Sequence, residues 1–254
     1  MIVAVAAQKG GCSKTTTVVN LAAAFAERGS STLVVDLDAQ AHSSLWLLGE
    51  AGRHQGPFVQ DWLDGAKQSP IHETTWPDLD VIPANLGLNH LRDRLDPAKR
   101  AADARRLEDR LRDLSRTYDW IFLDCPAGLN SLTINALVAA DALLVPVGPP
   151  DPLAVDGMQH IITSMKRIVG SLNPRLRLLG ILISNAQLER ASQRRSLERM
   201  REQGLPILDT IINSSARVGA AAEQFQPIVA HTPRSFVADA YRALSLELEQ
   251  RVRA

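Results

Sequence analysis

The feature that most constrains this chain is a glycine-rich loop near its amino terminus. An apolar run at residues 2–7 leads into Gln-Lys-Gly-Gly-Cys-Ser-Lys-Thr-Thr-Thr at positions 8–17, and a helix-like stretch follows. In such a strand–loop–helix unit, backbone N–H groups curl around phosphate oxygens, and the helix start adds a positive dipole end. We therefore predict a nucleoside triphosphate site here. Its residues are Lys9, Gly10, Gly11, Cys12, Ser13, Lys14, Thr15 and Thr16.

The two lysines of this loop suggest different tasks. Lys14 stands where a phosphate-loop lysine reaches the β- and γ-phosphates, and the Thr15 hydroxyl stands where it would ligate Mg²⁺. A phosphate loop needs no cation at its entrance, so Lys9 is a candidate to serve a site other than its own. The alternative is a glycine-lysine turn that only joins a strand to a helix. Two acidic motifs downstream favour the nucleotide interpretation.

Size and composition narrow the class of protein. With 254 residues and 45% apolar content, the chain is expected to form one domain over residues 1–254. The formal net charge is zero, so binding to nucleic acid or membrane would need a local patch. The apolar run before Gln8 is too short for a signal peptide, and no later run predicts a membrane span. Cys12 and Cys125 show neither metal nor disulfide spacing, which predicts a cytoplasmic protein.

Apolar runs alternate with helical patterns along the chain. The predicted strands cover residues 2–7, 32–37, 79–83, 120–123, 142–147, 178–183 and 208–212. The predicted helices cover residues 14–28, 99–116, 129–139, 154–169, 188–203 and 235–252. Residues 49–77 have the least regular pattern and read as a surface excursion anchored by Trp62 and Trp76. The alternation predicts an α/β fold: a doubly wound, mainly parallel sheet with helices on both faces, as in P-loop NTPases.

Acidic residues end two of the predicted strands. Asp36 and Asp38 follow the second strand, and Asp124 follows the fourth. Asp38 is the better candidate to orient the water that attacks the γ-phosphate, and Asp124 to act on Mg²⁺. A solvated acidic turn is the alternative for the first pair, and many strands end in aspartate. The combination with the glycine-rich loop favours the nucleotide site.

These motifs together resemble the ParA/MinD ATPases. The matching segments are Lys-Gly-Gly-Cys-Ser-Lys-Thr-Thr at 9–16, Asp-Leu-Asp-Ala-Gln at 36–40 and Leu-Asp-Cys-Pro at 123–126, with further likeness at 81–84, 140–147, 216–218 and 240–241. The first is similar to the deviant Walker A motif, and the likeness covers nearly the whole chain. The resemblance implies an ATPase with ATP and Mg²⁺ as cofactors. It also implies catalytic roles for Lys9, Lys14 and Asp38, and metal binding by Thr15, Asp38 and Asp124.

The resemblance implies more about assembly and base binding. In the resembling family two subunits sandwich two ATP molecules, and the lysine corresponding to Lys9 reaches the partner's nucleotide. Asn185 matches the place of an adenine contact in that family, although it would also suit a turn cap, and Asn213 is a second, less direct candidate of the same kind. The chain departs from the family pattern at Ser13, usually glycine, and at Ala39, usually proline. If position 13 needs a positive φ, serine costs on the order of 1–3 kcal/mol there. We expect binding to survive, whereas hydrolysis is the step this substitution would affect.

Basic residues raise the question of a partner. ParA-like proteins commonly bind DNA without reading sequence, and the arginine of that family matched by Arg217 is implicated in it. The candidates for DNA binding are Arg194, Arg195, Arg217 and Arg234. An ordinary solvated helix is the alternative for 188–203, and interleaved acids favour that reading for 99–116. Nucleoid association would follow from DNA binding. The carboxyl-terminal segment carries acids among its leucines, which favours packing on the sheet over a membrane role.

Two functions fit these observations best. The leading one is an ATP-dependent homodimer that binds DNA non-specifically and positions or segregates cargo, with an adaptor protein that stimulates slow hydrolysis. The second is a slow or non-hydrolysing nucleotide-dependent scaffold, suggested by Ser13. A MinD-like membrane-associated ATPase or a metabolic enzyme of the same superfamily, such as an amidoligase-like protein, fits less well.

Overall fold

Short, almost wholly buried strands form the centre of the molecule. The computed structural model describes residues 1–52, 54–150 and 152–253. Within these, seven strands form one sheet. They are β1 (Ile2–Val5), β2 (Thr32–Asp36), β3 (His72–Glu73), β4 (Leu79–Ile82), β5 (Trp120–Asp124), β6 (Ala142–Val147) and β7 (Arg177–Ile183). Because helices cover both faces, the central strands β1, β2, β5 and β6 are buried along their whole length and almost entirely apolar instead of alternating.

The strand order brings the predicted motifs to one edge. The order is β3-β4-β2-β5-β1-β6-β7, and every pairing is parallel except that of β3 with β4. In the pairing of β2 with β5, Asp36 lies opposite Asp124. The loop after β1 starts beside them, because Val5 also pairs with Asp124. The sheet therefore gathers the glycine-rich loop and both acids at the carboxyl ends of its central strands, as predicted for a doubly wound sheet.

Helices pack on both faces of the sheet. One face carries α3 (Val59–Leu63), α4 (Leu88–Arg94), α5 (Ala101–Leu114), α6 (Ser131–Ala139), α7 (Pro152–Ser171) and α8 (Ala191–Glu202). The other carries α1 (Lys14–Ala26), α2 (His42–Gly52), α9 (Ala216–Glu223), α10 (Ile228–His231) and α11 (Phe236–Arg253). The two apolar layers confirm the predicted fold class. No described helix has the length and apolarity needed to cross a bilayer.

The carboxyl-terminal helix is fastened to the first helix. Arg242 of α11 binds Glu27 with an Nε–Oε2 distance of 2.7 Å, and Arg28 binds Glu249 at 2.6 Å. Leu244 and Leu248 are buried, whereas Leu246 is 47% exposed. Burial of one side of α11 in the layer formed with α1 agrees with the expectation that this segment packs on the body of the protein.

Several regions differ from the sequence prediction, among them the short helices α4, α9 and α10, which the pattern did not predict. Residues 208–212 do not form a ladder strand but run beside β7 through isolated bridges, Ile181 with Ile207 and Ala186 with Asn213. Residues 49–77 include α3 and β3. The two tryptophans of this segment, Trp62 and Trp76, pack on opposite faces of the sheet. The pattern also missed α2, whose regular path is interrupted at Gly49 with φ 69°. Such short elements depend on tertiary contacts more than on their own periodicity.

Candidate nucleotide site

The glycine-rich loop has the backbone of an anion-binding turn. Gly11 and Ser13 both have left-handed φ values, 74° and 59°. Ser13 is the residue before α1, and its side chain makes no capping bond. A Cβ built on Gly10 or Gly11 would meet no atom within 4 Å, so the loop lies open to a ligand. Strain at Ser13 depends on a positive φ, and position 13 does adopt one. Serine therefore carries strain there of about 1–3 kcal/mol.

The two lysines of the loop lie in different environments. Lys14 is 8% exposed, and its charge lowers the pKa of Asp124. Lys9 is exposed at the loop entrance. Thus Lys14 faces the acids of its own chain, whereas Lys9 lies on the outer surface. The two lysines thus differ in exposure, and the separate tasks suggested by the sequence stay a prediction.

Asp124 lies at the bottom of the site with one oxygen bound and one without a partner. Its carboxylate is fully buried, and Oδ2 accepts a hydrogen bond from Ser43 Oγ at 2.5 Å. Oδ1 has no hydrogen-bond partner. Burial raises the pKa of Asp124 from 3.8 to about 6, while the hydroxyls of Ser43 and Thr15 and the charge of Lys14 oppose the rise. A buried carboxylate oxygen without a donor, close to the Thr15 hydroxyl, is a donor set that fits Mg²⁺.

Asp36 binds the segment that follows β2 and leads into α2. Its Oδ2 accepts hydrogen bonds from Ser44 N at 2.9 Å and Ser44 Oγ at 2.7 Å, and its Oδ1 accepts one from Asp38 N at 3.0 Å. Burial, and next the charge of Asp124, raise the pKa of Asp36 from 3.8 to about 7. With its oxygens satisfied inside the protein, Asp36 braces the chain that carries Asp38.

Asp38 lies on the open side of this brace. Its carboxylate is only partly buried, and Oδ1 accepts a hydrogen bond from Gln40 N at 3.0 Å. Its charge raises the pKa of Asp124, so the two carboxylates are close enough to act on one region. The structure therefore brings Lys14, Asp38 and Asp124 together.

A pocket of about 260 Å³ continues from the loop toward β7. Both predicted base-binding residues line it: Asn185 and Asn213, whose segments are held side by side by the Ala186–Asn213 bridge. Ser13 and Thr16 line its opposite end. Asn185 has φ 52°, as a turn residue does, so its turn role and its place in the pocket coexist. Because Ser13 and Thr16 belong to the loop region and also line the pocket, the pocket and the loop adjoin each other.

Sequence reasoning missed Ser43 and Ser44. Both hydroxyls are fully buried in the first turn of α2, and each binds a different acid of the site. The available signal was a pair of small hydroxyl residues soon after the motif at 36–40. Such residues usually cap helices, and only the fold shows that carboxylates of β2 and β5 lie opposite them.

The four arginines assigned to DNA lie in two separate layers. Arg194 and Arg195 are exposed on α8, whose Leu197 and Met200 pack on one face of the sheet. Arg217 is exposed at the start of α9, and Arg234 is exposed just before α11. Both of these helices pack on the opposite face. Arg194 and Arg195 therefore lie on one face of the sheet, and Arg217 and Arg234 lie on the other.

Comparison with known proteins defines the class. A family model described as an AAA domain matches residues 1–178. The chromosome partitioning protein ParA of Caulobacter vibrioides is 32% identical over 259 residues, covering 99% of this chain and 95% of that protein. The sporulation initiation inhibitor protein Soj of Bacillus subtilis is 31% identical over 249 residues, covering 97% of each. The chain belongs to the ParA/MinD family of P-loop ATPases, which includes chromosome-partitioning proteins.

A solved structure extends the comparison to ligands. Cobyrinic acid a,c-diamide synthase from Mycobacterium smegmatis, with bound ADP and magnesium, superposes with a TM-score of 0.84 at 29% identity. The match covers 100% of this chain and 95% of that one. The same protein has also been solved with an ATP analogue and magnesium. The prediction of ATP and Mg²⁺ as cofactors agrees with these homologous structures, and nucleotide hydrolysis is the activity of the family.

Proposed function

We propose that this chain is an ATPase that forms a dimer when ATP is bound, holds DNA without reading its sequence, and positions or segregates cargo. An adaptor protein accelerates an otherwise slow hydrolysis, and the DNA-bound form associates with the nucleoid. The observation that carries the proposal is the contrast between the two lysines: Lys14 is buried against the acids of its own chain, while Lys9 is exposed at the loop entrance. In this proposal Lys14 contacts the nucleotide of its own chain, whereas Lys9 reaches the nucleotide of a second chain.

Each residue of the site has a task in this proposal. Lys14 holds the β- and γ-phosphates, and Thr15 and Asp124 hold Mg²⁺. Asp38 contributes to the metal site and orients the attacking water, because its carboxylate is partly exposed whereas Asp36 is sealed. When bound, Mg²⁺ supplies positive charge against the phosphate oxygens. Asn185 and Asn213 hold the adenine from the far side of the pocket.

The loop itself contributes backbone donors. Left-handed conformations at Gly11 and Ser13 turn successive N–H groups inward, the geometry that binds phosphate oxygens at a helix start. The loop residues in contact with the phosphates are Gly10, Gly11, Cys12, Ser13 and Thr16. Strain at Ser13 slows hydrolysis more than it weakens binding.

A comparison of two arginine-rich helices supports the DNA assignment. In α5 three of the four arginines have ion pairs: Arg105 with Glu108, Arg106 with Asp103 and Arg112 with Asp109. In α8 the hydrogen bond described for Arg194 goes to the carbonyl of Leu188, and among the described residues no ion pair neutralises the arginines of this helix. Positive charge that is not neutralised is what attracts a phosphate backbone. Helix α8 therefore suits DNA and α5 does not.

Sedimentation tests the assembly. The unaltered chain and Lys9→Ala are compared with ADP, ATP and a non-hydrolysable ATP analogue, each with Mg²⁺. We expect the unaltered chain to dimerise with ATP and the analogue but not with ADP. The Lys9→Ala variant should bind nucleotide by calorimetry yet stay single. Lys67→Ala, at an exposed lysine remote in sequence from the loop, is the control. Absence of any adenine nucleotide uptake by the unaltered chain would refute the proposal.

A DNA arm completes the test. Binding to two duplexes of unrelated sequence is measured at low and moderate salt, with ADP or with the analogue. We expect equal binding to both duplexes, only with the analogue, and a steep fall with salt. Binding that ignores salt or nucleotide would contradict the DNA part of the proposal and leave the dimer intact.

One observation keeps a second function in view. The solved structure described above carries the name of an amide-forming synthase. Against that function, Cys125 is fully buried and burial raises the pKa of its thiol, which makes it a poor nucleophile for releasing ammonia from glutamine. ATP turnover that depends on glutamine and not on DNA would favour the synthase.

A further inference from the structure

Two adjacent serines bind the two buried acids of the site. Ser43 and Ser44 open α2, and neither has any exposed surface. Ser43 Oγ donates to Asp124 Oδ2 at 2.5 Å, and Ser44 Oγ donates to Asp36 Oδ2 at 2.7 Å. Neighbouring residues on one helix thus hold carboxylates on two paired strands. In both acids a serine binds Oδ2, but the two acids differ in the partners of Oδ1.

The remaining oxygen of Asp36 is occupied and that of Asp124 is not. Asp36 Oδ1 accepts the N–H of Asp38, so this carboxylate is fully used inside the protein. Asp124 Oδ1 is buried and has no donor in hydrogen-bond geometry, although the Thr15 hydroxyl lies near enough to the carboxylate to lower its pKa. An unpaired buried oxygen is costly unless something else binds it. Only the acid held by Ser43 therefore has an oxygen reserved for a ligand.

We propose that Ser43 is a positioning residue for magnesium, in that its hydroxyl fixes Asp124 Oδ2 and so turns Oδ1 toward the metal or a metal-bound water. This inference rests on the proposed ATP–Mg²⁺ site. A short hydrogen bond to a carboxylate is strong and directional, and here no solvent reaches the group to replace it. Without the hydroxyl, the carboxylate is free to turn toward the ammonium of Lys14, the cation whose charge already acts on it.

Ser44 supplies a matched control. It has the same residue type, the same burial and the next position in the same helical turn. Its hydroxyl accepts the N–H of Ala84 at 2.9 Å and donates to Asp36, so its bonds join two strand ends. A Ser44→Ala change removes an equal number of atoms and should lower stability. It leaves the bond to Asp124 in place.

The experiment measures magnesium linkage and not turnover. Binding of a non-hydrolysable ATP analogue is measured by calorimetry with Mg²⁺ and in EDTA, for the unaltered chain, Ser43→Ala and Ser44→Ala. Loss of an outer hydrogen bond to a metal ligand typically weakens metal affinity about 10–100-fold. The magnesium gain is the ratio of the analogue affinity with Mg²⁺ to the analogue affinity in EDTA. We expect this gain to be at least about tenfold smaller in Ser43→Ala than in the unaltered chain, with the affinity in EDTA unchanged. Ser44→Ala should keep most of this gain even if its melting temperature falls, because Asp36 still accepts the backbone N–H of Ser44 and that of Asp38.

Each other outcome is decisive. Equal loss of the magnesium gain in both variants, or no loss in Ser43→Ala, would overturn the inference while the proposed function stands. Failure of the unaltered chain to bind the analogue would overturn both. If Ser43→Ala does not fold, Ser43→Cys replaces it, because a thiol fills the space but donates weakly. Its magnesium gain should fall below that of the unaltered chain, and a full gain would again overturn the role of Ser43.

Discussion

The acids at the carboxyl edge of the sheet and the arginines of α8 and α9 are built in opposite ways. Asp36 and Asp124 have no exposed surface and are fixed by hydrogen bonds of 3.0 Å or less from neighbouring residues. Arg195 and Arg217 project into solvent. The first region is rigid before any ligand arrives, whereas the second has charge without fixed geometry.

This difference predicts how each region responds to change. In a low-dielectric site a single lost contact leaves a charge uncompensated, so effects are large and local. Exposed cations act through their sum, and salt screens them, so single changes are small. Perturbations of the two regions should therefore separate by size and by salt dependence.

Lys14→Ala gives the largest expected effect. The change removes the buried cation that faces Asp124 and the phosphates. A charge-assisted bond to phosphate contributes up to about 3 kcal/mol, which corresponds to about 100-fold in affinity. Calorimetry with Mg²⁺ and the ATP analogue measures it. Lys9→Ala serves as comparison, and equal loss of nucleotide binding in both variants would remove the distinction between the two lysines.

The buried acids predict a pH effect on stability. In nucleotide-free protein with EDTA, the pKa of Asp36 lies near 7 when folded and 3.8 when unfolded. The native state then holds more protons between these values, so stability falls as pH rises through this window and levels off above 7. From pH 5.5 to 7.5 the free energy of unfolding should drop by about 2 kcal/mol. Denaturant unfolding measures this drop.

Asp36→Asn isolates that titration. The variant keeps the size of the side chain but cannot ionise, so its stability should vary less over the same pH range. Asp124, whose pKa burial raises to about 6, titrates in the same window and is present in both proteins, so Asp36→Asn should keep part of the drop. A drop of the same size in both proteins would show that Asp36 is already ionised at pH 5.5.

The sequence predicted the acidic edge well because its signals are local. Apolar runs set the parallel strands, and each run ends in the acid it delivers to the edge, as with Asp124 after β5. The glycine-rich loop is likewise contiguous. Ser43, by contrast, gains its meaning from a strand 81 residues away. No periodicity in 42–52 predicts that contact.

The arginines show a second limit of sequence reasoning. Helical spacing identified α5 and α8 as basic, but only packing reveals which face each helix covers and which arginines have partners. Arg105 and Arg194 look alike in sequence, yet the first pairs with Glu108 at 2.5 Å and the second bonds a carbonyl. The segment 208–212 illustrates the same point, because its place beside β7 depends on the isolated bridges and on bonds to α11.

Paired arginine variants sharpen the comparison at the exposed region. Arg194→Ala with Arg195→Ala removes two charges from α8, and Arg105→Ala with Arg112→Ala removes two from α5. If α8 contacts phosphates, its variant should lower the slope of log affinity against log salt by about 2 and weaken DNA binding about tenfold. The α5 variant should change neither by a comparable amount. Arg217→Ala with Arg234→Ala tests the opposite layer, and equal loss in all three would mean that only net charge matters.

Ser13→Gly is expected to have the smallest effect, and it tests whether the rigid region carries strain of its own. Glycine removes the cost of left-handed backbone at position 13, while its greater freedom in the unfolded chain offsets about 0.5–1 kcal/mol of that gain. The net should be a rise in unfolding free energy of about 1 kcal/mol, near the middle of the range that these two terms leave. Asp78→Gly, at φ 58° outside the loop, is the matched control for strain relief. If strain at Ser13 also limits hydrolysis, ATP turnover rises in Ser13→Gly but not in Asp78→Gly, with analogue binding unchanged in both. Unchanged turnover in Ser13→Gly would mean that the serine is tolerated without consequence for the reaction.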